Sequence, residues 1–261
     1  MTDYRHILVD QLDQVATITL NDPGTLNAAS FAMVGELIAG LEGVVIQGAR
    51  AIVLTGAGRG FCSGAKLSDL DPSEPDYDAG AALETVYQPL MRTIRDLSVP
   101  IVAAVNGAAA GVGCAIALAG DLILATEDAY FLQAFRRIGL VPDGGSVWLL
   151  AHAVGRARTM EMMLLGERIP AQRALEWGLI NRVVAQDELA EQAFELASNL
   201  ANGPTVALRA MREQCWKATE ASFDDILALE RRQQRVAGRT ADHREGIAAF
   251  LDKRPAAFIG E

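Results

Sequence analysis

The chain has 261 residues, of which 51% are hydrophobic and 21% charged, and its formal net charge is −10. This composition excludes an intrinsically disordered chain and supplies enough apolar side chains for one large domain. The acidic excess argues against a general nucleic-acid surface, and three scattered cysteines and three scattered histidines argue against a disulfide framework or a dedicated metal site.

The first residues show no apolar run after a basic start, which predicts a cytoplasmic protein without a secretory signal. Residues 4–20 predict a β-hairpin, because a β-branched run ends there at the turn sequence Asn21-Asp22-Pro23-Gly24. Five elements are then expected before residue 106: a helix capped by Ser30, an apolar strand 51–55, a mobile surface loop 71–80, a helix over 83–97 and a strand 101–105.

The stretch 99–125 carries only one charge, Asp121, and is long enough to be considered as a membrane span. Its proline and glycines divide it into a strand, a turn, a short helix and another strand, so it indicates the core of an α/β fold. Strands are expected at 121–125 and 130–133, and after about residue 146 strand patterns nearly stop. The helices expected there span 146–153, 155–165, 171–177, 187–201, 205–218, 222–237 and 242–251. This order predicts an α/β fold with a helical C-terminal part.

Two familiar catalytic motifs are incomplete in this chain. Gly56-Ala-Gly58-Arg-Gly60 follows a strand like a dinucleotide-binding loop, but Phe61 stands where the third glycine is needed. Gly144-Gly-Ser146-Val-Trp148 lacks the last glycine of a serine-hydrolase elbow, and no histidine has a suggestive context. Neither a nicotinamide or flavin site nor a nucleophilic serine is therefore expected.

Two glycine-containing turns, residues 61–67 and 106–114, each follow an apolar strand. The second opens a helix, so the N–H groups around Gly111–Gly113 are unpaired and carry the positive end of the helix dipole. Two such turns facing each other would place two N–H donors on one oxygen, as in an oxyanion hole. Alternatively, the glycines only allow strands and helices to pack closely, and the spacing leaves both interpretations open.

Asp143 lies in an otherwise apolar loop, Ile138-Gly-Leu-Val-Pro-Asp143-Gly-Gly145. Aspartate before two glycines commonly forms a turn or caps a helix. If Leu140, Val141 and Trp148 surround the carboxyl group, its desolvation would raise its pKa toward the range that suits proton transfer.

The motifs in their order resemble the crotonase, or enoyl-CoA hydratase/isomerase, superfamily, from about residue 5 to 258. The resemblance implies a spiral of ββα units over residues 1–200 with the acyl-CoA site, and a helical trimerisation part over 201–261. It also implies a homotrimer or a dimer of trimers, a CoA thioester as substrate, and no metal or prosthetic group. The matching motifs are Asn21-x-Pro23, Asn27-Ala28, Phe61-Cys-Ser-Gly64-Ala65, Pro100…Ala104-Val-Asn106-Gly107, Gly139-Leu-Val-Pro-Asp143, Ala171…Gly178-Leu179-Ile180 and Arg244-Glu245-Gly246.

By position in this resemblance, the oxyanion N–H donors are those of Ala65 and Val112, and Asp143 is the catalytic acid–base group. The two glutamates with which hydratases of the family activate water are replaced by Ala115 and Phe135. Neither replacement can transfer a proton, so ordinary hydration lacks both its acid and its base.

The resemblance assigns CoA contacts to the first turn and, more weakly, to the C-terminal tail. Asp22 stands where many members have a CoA-binding arginine, and Lys66 replaces the usual acid. Lys66 would supply positive charge for the CoA phosphates or would simply be solvated, and both remain open. Phe135 and Trp148 are expected to line the substrate pocket. The residues expected to bind CoA are Ser63, Ala65, Lys66, Leu67, Ser68, Gly111, Phe250 and Lys253.

These features predict an acyl-CoA isomerase that shifts a double bond or rearranges an epoxide, with Asp143 as proton shuttle. The segment 131–143 resembles the epoxyphenylacetyl-CoA isomerases of bacterial phenylacetate degradation. The alternatives are an enoyl-CoA hydratase, a non-catalytic acyl-CoA-binding oligomer, and a dehalogenase of the family. The dehalogenase is disfavoured because it carries tryptophan at the position of Phe135 and its helping histidine has no counterpart that we could identify.

Overall fold

The computed structural model describes residues 4–261 and contains two β-sheets. The strands of the larger sheet are β1 Ile7–Leu12, β2 Val15–Leu20, β3 Ala51–Gly56, β5 Ile101–Val105, β7 Leu122–Thr126 and β10 Arg182–Val184; those of the smaller sheet are β4 Gly60–Cys62, β6 Ala108–Ala110, β8 Tyr130–Leu132 and β9 Arg168–Pro170. The larger sheet has the order β1-β2-β3-β5-β7-β10, and the smaller β4-β6-β8-β9. The first pair of the larger sheet is antiparallel, which confirms the predicted hairpin, and its other neighbours are parallel.

The chain passes repeatedly from one sheet to the other and then into a helix. Strands β4, β6 and β8 each follow β3, β5 or β7 after a short turn, and β6 leads directly into α4, Val112–Leu118. After β8 the chain reaches α5, Ser146–Leu165. This repetition of strand, strand and helix confirms the expected ββα spiral.

The remaining helices agree with the predicted ones to within a few residues, with two exceptions. The short helix α2, Ala79–Ala82, was not expected and begins inside the predicted loop 71–80, and a π-helical turn, Leu83–Tyr87, begins the helix expected at 83–97. Ser30 caps α1 as expected, since its side chain accepts a hydrogen bond from the Met33 N–H. Gly155, at φ 76° and ψ 169°, interrupts α5 where two separate helices were predicted. The other helices are α1 Phe31–Ile46, α2 Ala79–Ala82, α3 Gln88–Asp96, α6 Ala171–Glu176, α7 Leu189–Ala201, α8 Thr205–Ala218, α9 Phe223–Ala237 and α10 Ala241–Asp252.

Both faces of the parallel strands are covered, which explains why these strands are apolar throughout rather than alternating. In β3, Ile52 and Leu54 face the main core with α1, whereas Val53 faces a second cluster formed with α7. Among residues 4–261, no helix is long and apolar enough to cross a membrane. Residues 1–3, on which the expectation of no secretory signal partly rests, lie outside the described residues.

Two buried arginines attach the C-terminal part to the sheet. Arg212 on α8 forms an ion pair of 2.7 Å with Asp121, and its guanidinium also donates to the carbonyl groups of Ile94 and Leu97 at the end of α3. Arg50, before β3, donates to the Thr205 hydroxyl at 2.7 Å, to Gln14, and to two late carbonyl groups, those of Gly203 and Phe258.

Candidate active site

The first of the two glycine turns, residues 61–67, is held by backbone hydrogen bonds to Ala29, which lies just before α1. Ala29 donates its N–H to the Gly64 carbonyl at 2.7 Å, and its own carbonyl accepts the Lys66 N–H at 3.4 Å. Gly64 itself adopts φ +106°, a conformation that side chains rarely allow. The Ala65 N–H, between these two bonds, has no hydrogen-bond acceptor within residues 4–261.

The second turn places another free donor beside the first. Gly111, at φ 53° and ψ −128°, precedes α4, and the Val112 N–H at the helix start has no acceptor in the described chain either. A Cβ atom built on Gly64 would lie 3.0 Å from the Ala110 carbonyl oxygen and 3.8 Å from the Gly111 Cα. The two turns therefore meet, and the glycines serve both close packing and the exposure of two N–H groups.

Both turns open into one pocket of about 230 Å³, to which Asp143 contributes the acidic group. Its Oδ1 atom is buried without a hydrogen-bonding partner among residues 4–261, and desolvation raises the pKa of Asp143 to about 6. A carboxyl group with this pKa can both accept and return a proton near neutral pH. The residues lining the pocket are Ser63, Gly64, Ala65, Leu67, Leu70, Ala79, Ala82, Leu83, Tyr87, Gly111, Val112, Ala134, Phe135, Arg137, Ile138, Leu140 and Asp143.

The apolar surroundings of Asp143 differ in part from those expected. Leu140 lines the pocket, but Val141 is exposed and is not a lining residue. Trp148 is also absent from the pocket lining: it stacks on Trp216, with ring centroids 5.4 Å apart, in a neighbouring cavity. The expectation that Trp148 shapes this pocket is corrected, because α5 turns the indole toward α8.

Phe135 and Ala115, which were expected to replace two glutamates, are both buried and closely packed. Phe135 is buried and lines the pocket, with its Cζ atom 3.8 Å from a Cβ built on Gly111. Ala115 lies on the buried face of α4, where a Cβ built on Gly144 would come within 2.9 Å of its own Cβ. A longer side chain at 115 would therefore meet the loop that carries Asp143.

Asp22 and Lys66, whose charges differ from those expected at these positions, form an ion pair with each other. The Lys66 Nζ lies 3.2 Å from Asp22 Oδ2, and both side chains are partly exposed. The Asp22 pKa is lowered, first by a hydrogen bond with Thr25 and then by Lys66. The lysine is thus neither unpartnered nor part of the pocket lining.

The structure places only some of the other residues that were expected to bind CoA in this pocket. Ser63, Leu67 and Gly111 line the pocket with Ala65, whereas Ser68 is exposed outside it. Phe250, 82% exposed, and Lys253 lie at the end of α10 and are not brought to this pocket within the chain.

Tyr87 is a pocket residue that the sequence analysis did not single out within the helix expected at 83–97. It lies in the π-turn, a feature often found at functional sites, and its hydroxyl donates to the Ala29 carbonyl at 3.0 Å. Burial, and next the nearby Asp143 carboxylate, raises its pKa. Only a π-turn, which local sequence does not encode clearly, brings this phenol into the site.

No group of three or more His, Cys, Asp or Glu side chains within residues 4–261 is arranged to hold a metal ion. The pocket combines two residues whose N–H groups have no acceptor among residues 4–261, Ala65 and Val112, with one carboxyl group whose pKa is raised. Such a site can stabilise an oxyanion while moving a proton on a neighbouring carbon.

Comparisons with known proteins agree on one family. A family model described as enoyl-CoA hydratase/isomerase matches residues 10–261. The chain is 44% identical to the 1,2-epoxyphenylacetyl-CoA isomerase of Escherichia coli K12, covering 95% of each protein, and 43% identical to a "Probable enoyl-CoA hydratase" of Rhodobacter capsulatus, covering 98% and 99%. A crystal structure of an enoyl-CoA hydratase subunit from Geobacillus kaustophilus superposes with a TM-score of 0.92 at 34% identity, over 100% of both chains.

Proposed function

Because the chain belongs to the enoyl-CoA hydratase/isomerase family, we propose that it is an acyl-CoA isomerase with Asp143 as its acid–base residue. The observation that carries this proposal is a single carboxyl group, with a pKa of about 6, in the pocket that also exposes the Ala65 and Val112 N–H groups. Ala115 and Phe135 leave the pocket without the second acid that hydration in this family uses.

In the proposed reaction, the thioester oxygen accepts hydrogen bonds from the Ala65 and Val112 N–H groups. The Asp143 carboxylate removes a proton from a carbon of the acyl group, and the electron pair moves onto the thioester oxygen as an enolate. The enolate then collapses while the Asp143 carboxylic acid returns the same proton to another carbon, so the double bond moves and the mass stays constant. Each oxyanion donor of this kind typically contributes about 10²–10³ in rate.

The side chains at 115 and 135 support isomerisation, because neither alanine nor phenylalanine can activate water and Asp143 is the one carboxyl group among the lining residues. Phe135 lines the pocket, whereas Ala115 lies outside the lining, close to Gly144 in the loop that carries Asp143. A relative at 44% identity is named for an epoxide rearrangement, so we include unsaturated and epoxide acyl-CoAs in the proposed substrate class. Hydration remains the second candidate, since a relative of nearly equal identity carries a hydratase name.

For CoA we propose contacts from Ser63, Leu67 and Ser68, with Lys66 turning from Asp22 toward a phosphate. Leu67 is half exposed at the pocket edge, where it could pack against the cofactor portion of the substrate.

We further propose that residues 1–200 form the catalytic core and that 201–261 assemble a homotrimer or a dimer of trimers. The support is a set of large apolar side chains exposed on α9 and α10, a pattern typical of a surface that is covered by a partner. In such an assembly Phe250 and Lys253 would reach a neighbour's CoA. The exposed apolar residues are Phe223, Leu227, Val236, Ile247, Phe250 and Leu251.

The first experiment follows mass and double-bond position when purified protein is incubated with crotonyl-CoA or with a 3-enoyl-CoA. We expect the 3-enoyl isomer to disappear at constant mass and crotonyl-CoA to gain no water. Asp143→Asn should abolish the isomerisation and retain CoA binding, whereas the exposed Asp128→Asn should leave it unchanged. A gain of one water on crotonyl-CoA would establish hydratase chemistry instead, and binding without any turnover by the wild type would support a non-catalytic oligomer.

A further inference from the structure

A second cavity, of about 490 Å³, lies on the other side of the loop that carries Asp143, and we call it the distal cavity. Gly144 and Gly145, which follow Asp143 directly, line it, and Met91 lines it one helical turn after Tyr87 of the catalytic pocket. A Cβ built on Gly145 would meet no atom within 4 Å, so the loop leaves open space there. The two cavities thus share one loop and one helix.

The inner surface of the distal cavity is apolar and flat. The indole rings of Trp148 and Trp216 stack with centroids 5.4 Å apart and an angle of 7° between their planes. Met91, Leu97 and Leu149 complete this lining. A surface of this kind suits the methylene groups of an extended acyl chain.

The outer edge of the distal cavity is formed by its exposed charged residues, with four cations and three acids. The cations are Arg92, Arg95, Arg209 and Lys217, and the acids are Asp96, Glu213 and Glu220, whereas the fifth cation of the lining, Arg212, is buried. On a chain with a net charge of −10, a locally positive edge selects an anionic group.

Several of these charged side chains already form ion pairs within the chain, so fewer of them are free to contact a ligand. Arg95 forms an ion pair of 2.7 Å with Asp96, and Arg212 is committed to Asp121. Arg92 donates to the Gln88 side chain at 3.2 Å, whereas Arg209 and Lys217 form neither an ion pair nor a side-chain hydrogen bond in the described part of the chain. Because they lie two turns apart on α8, both ammonium and guanidinium groups can face the same edge.

We propose that the distal cavity binds the far end of an acyl chain that terminates in a carboxylate. The thioester would occupy the catalytic pocket, the methylene groups would pass Gly145 and lie against the tryptophan pair, and the carboxylate would meet Arg209 and Lys217. The proposal rests on the proposed function only for the position of the thioester. It makes this chain selective for acyl-CoAs derived from dicarboxylic acids.

Binding of two saturated thioesters, octanoyl-CoA and octanedioyl-CoA, tests the proposal, because neither can be isomerised. Calorimetry on the wild-type protein should show the dicarboxylic thioester binding about tenfold more tightly, as expected for two partly exposed charge pairs. Its binding should also change tryptophan fluorescence, since two of the three tryptophans line the cavity. The Arg209→Gln/Lys217→Gln variant should lose this preference and keep its affinity for octanoyl-CoA.

The matched control is Arg231→Gln/Arg232→Gln, which removes two exposed cations of α9 away from the cavity and should keep the preference. Equal affinities of the wild type for both thioesters would overturn the proposal, and so would a preference that survives in Arg209→Gln/Lys217→Gln. A preference without any isomerase turnover would refute the proposed function while supporting the distal subsite, and turnover without preference would do the reverse.

Discussion

The ionised form of the Asp143 carboxyl group is unfavourable in the folded protein, because the group is largely buried and its Oδ1 atom has no hydrogen-bonding partner among residues 4–261. Burial raises its pKa from 3.8 to about 6, so the folded state favours the neutral acid. The stabilisation from that neutral acid is complete below pH 3.8, is lost as the pH rises toward 6, and is absent above it.

We therefore expect Asp143→Asn to be more stable than the wild type above pH 6, by about 1–2 kcal/mol after allowance for partial solvent access. The gain should shrink toward zero as the pH falls to 4. Urea unfolding at a series of pH values measures this difference, with Asp128→Asn as the exposed control. A gain that does not depend on pH would show that the carboxyl group is not desolvated in the folded protein.

At the scale of one element, α4 depends on the conformation of the glycine before it. Gly111 has φ 53° and ψ −128°, which only glycine adopts without strain, and this conformation directs the Val112 N–H into the pocket. A Cβ at this position would make only ordinary contacts at 3.8 Å, so an alanine would change backbone conformation rather than create a clash.

Gly111→Ala should therefore lower kcat by about 10²–10³, the typical loss for one oxyanion donor, with a smaller effect on KM. The control is Gly178→Ala, which also has a positive φ and no atom near its Cβ but lies outside the catalytic pocket. Steady-state kinetics on both variants separates strain in general from loss of the donor. Similar kcat values in the two variants would count against the Val112 N–H as an oxyanion donor.

Prediction from sequence succeeded for elements long enough to show a period. The helices α1 and α7–α10 and the strands β2, β3 and β5 were all expected, because each buries a regular set of apolar side chains. The strands of the smaller sheet β4, β6 and β9 were not, since three residues establish no alternation. They pair only because the spiral brings distant turns of the chain side by side.

The same distinction applies to the pocket residues. Ala65, Val112 and Asp143 were predicted from their positions in the motifs, and all three line one pocket. Tyr87 was missed and Trp148 was misplaced, because the direction of a side chain depends on a π-turn in one case and on the packing of α5 against α8 in the other.

At the scale of the whole molecule, the ion pair of Arg212 with Asp121 connects the helical C-terminal part to the sheet. Burial raises the Asp121 pKa even against the opposing effect of Arg212, so the carboxylate tolerates poorly the loss of its partner. The same guanidinium also binds the carbonyl groups that end α3.

Arg212→Met should lower the free energy of unfolding by about 3–5 kcal/mol, as is typical when one partner of a buried ion pair is removed. Arg212→Met/Asp121→Asn should recover part of this loss, because no charge is then left unpaired. Chemical denaturation followed by circular dichroism gives both values. A double variant no more stable than the single one would mean that the contacts with α3, rather than the charge pair, hold α8 in place.

Arg50 forms contacts that can be completed only late in the synthesis of the chain. It is made early, yet its guanidinium binds the Gly203 carbonyl, 153 residues later, and the Phe258 carbonyl, 208 residues later. During synthesis on the ribosome, this arginine must stay hydrated, and the start of β3 must lack these contacts, until Gly203 and Phe258 have emerged. The contacts that join the start of β3 to the segment before α8 and to the segment after α10 can therefore form only once residue 258 has been made.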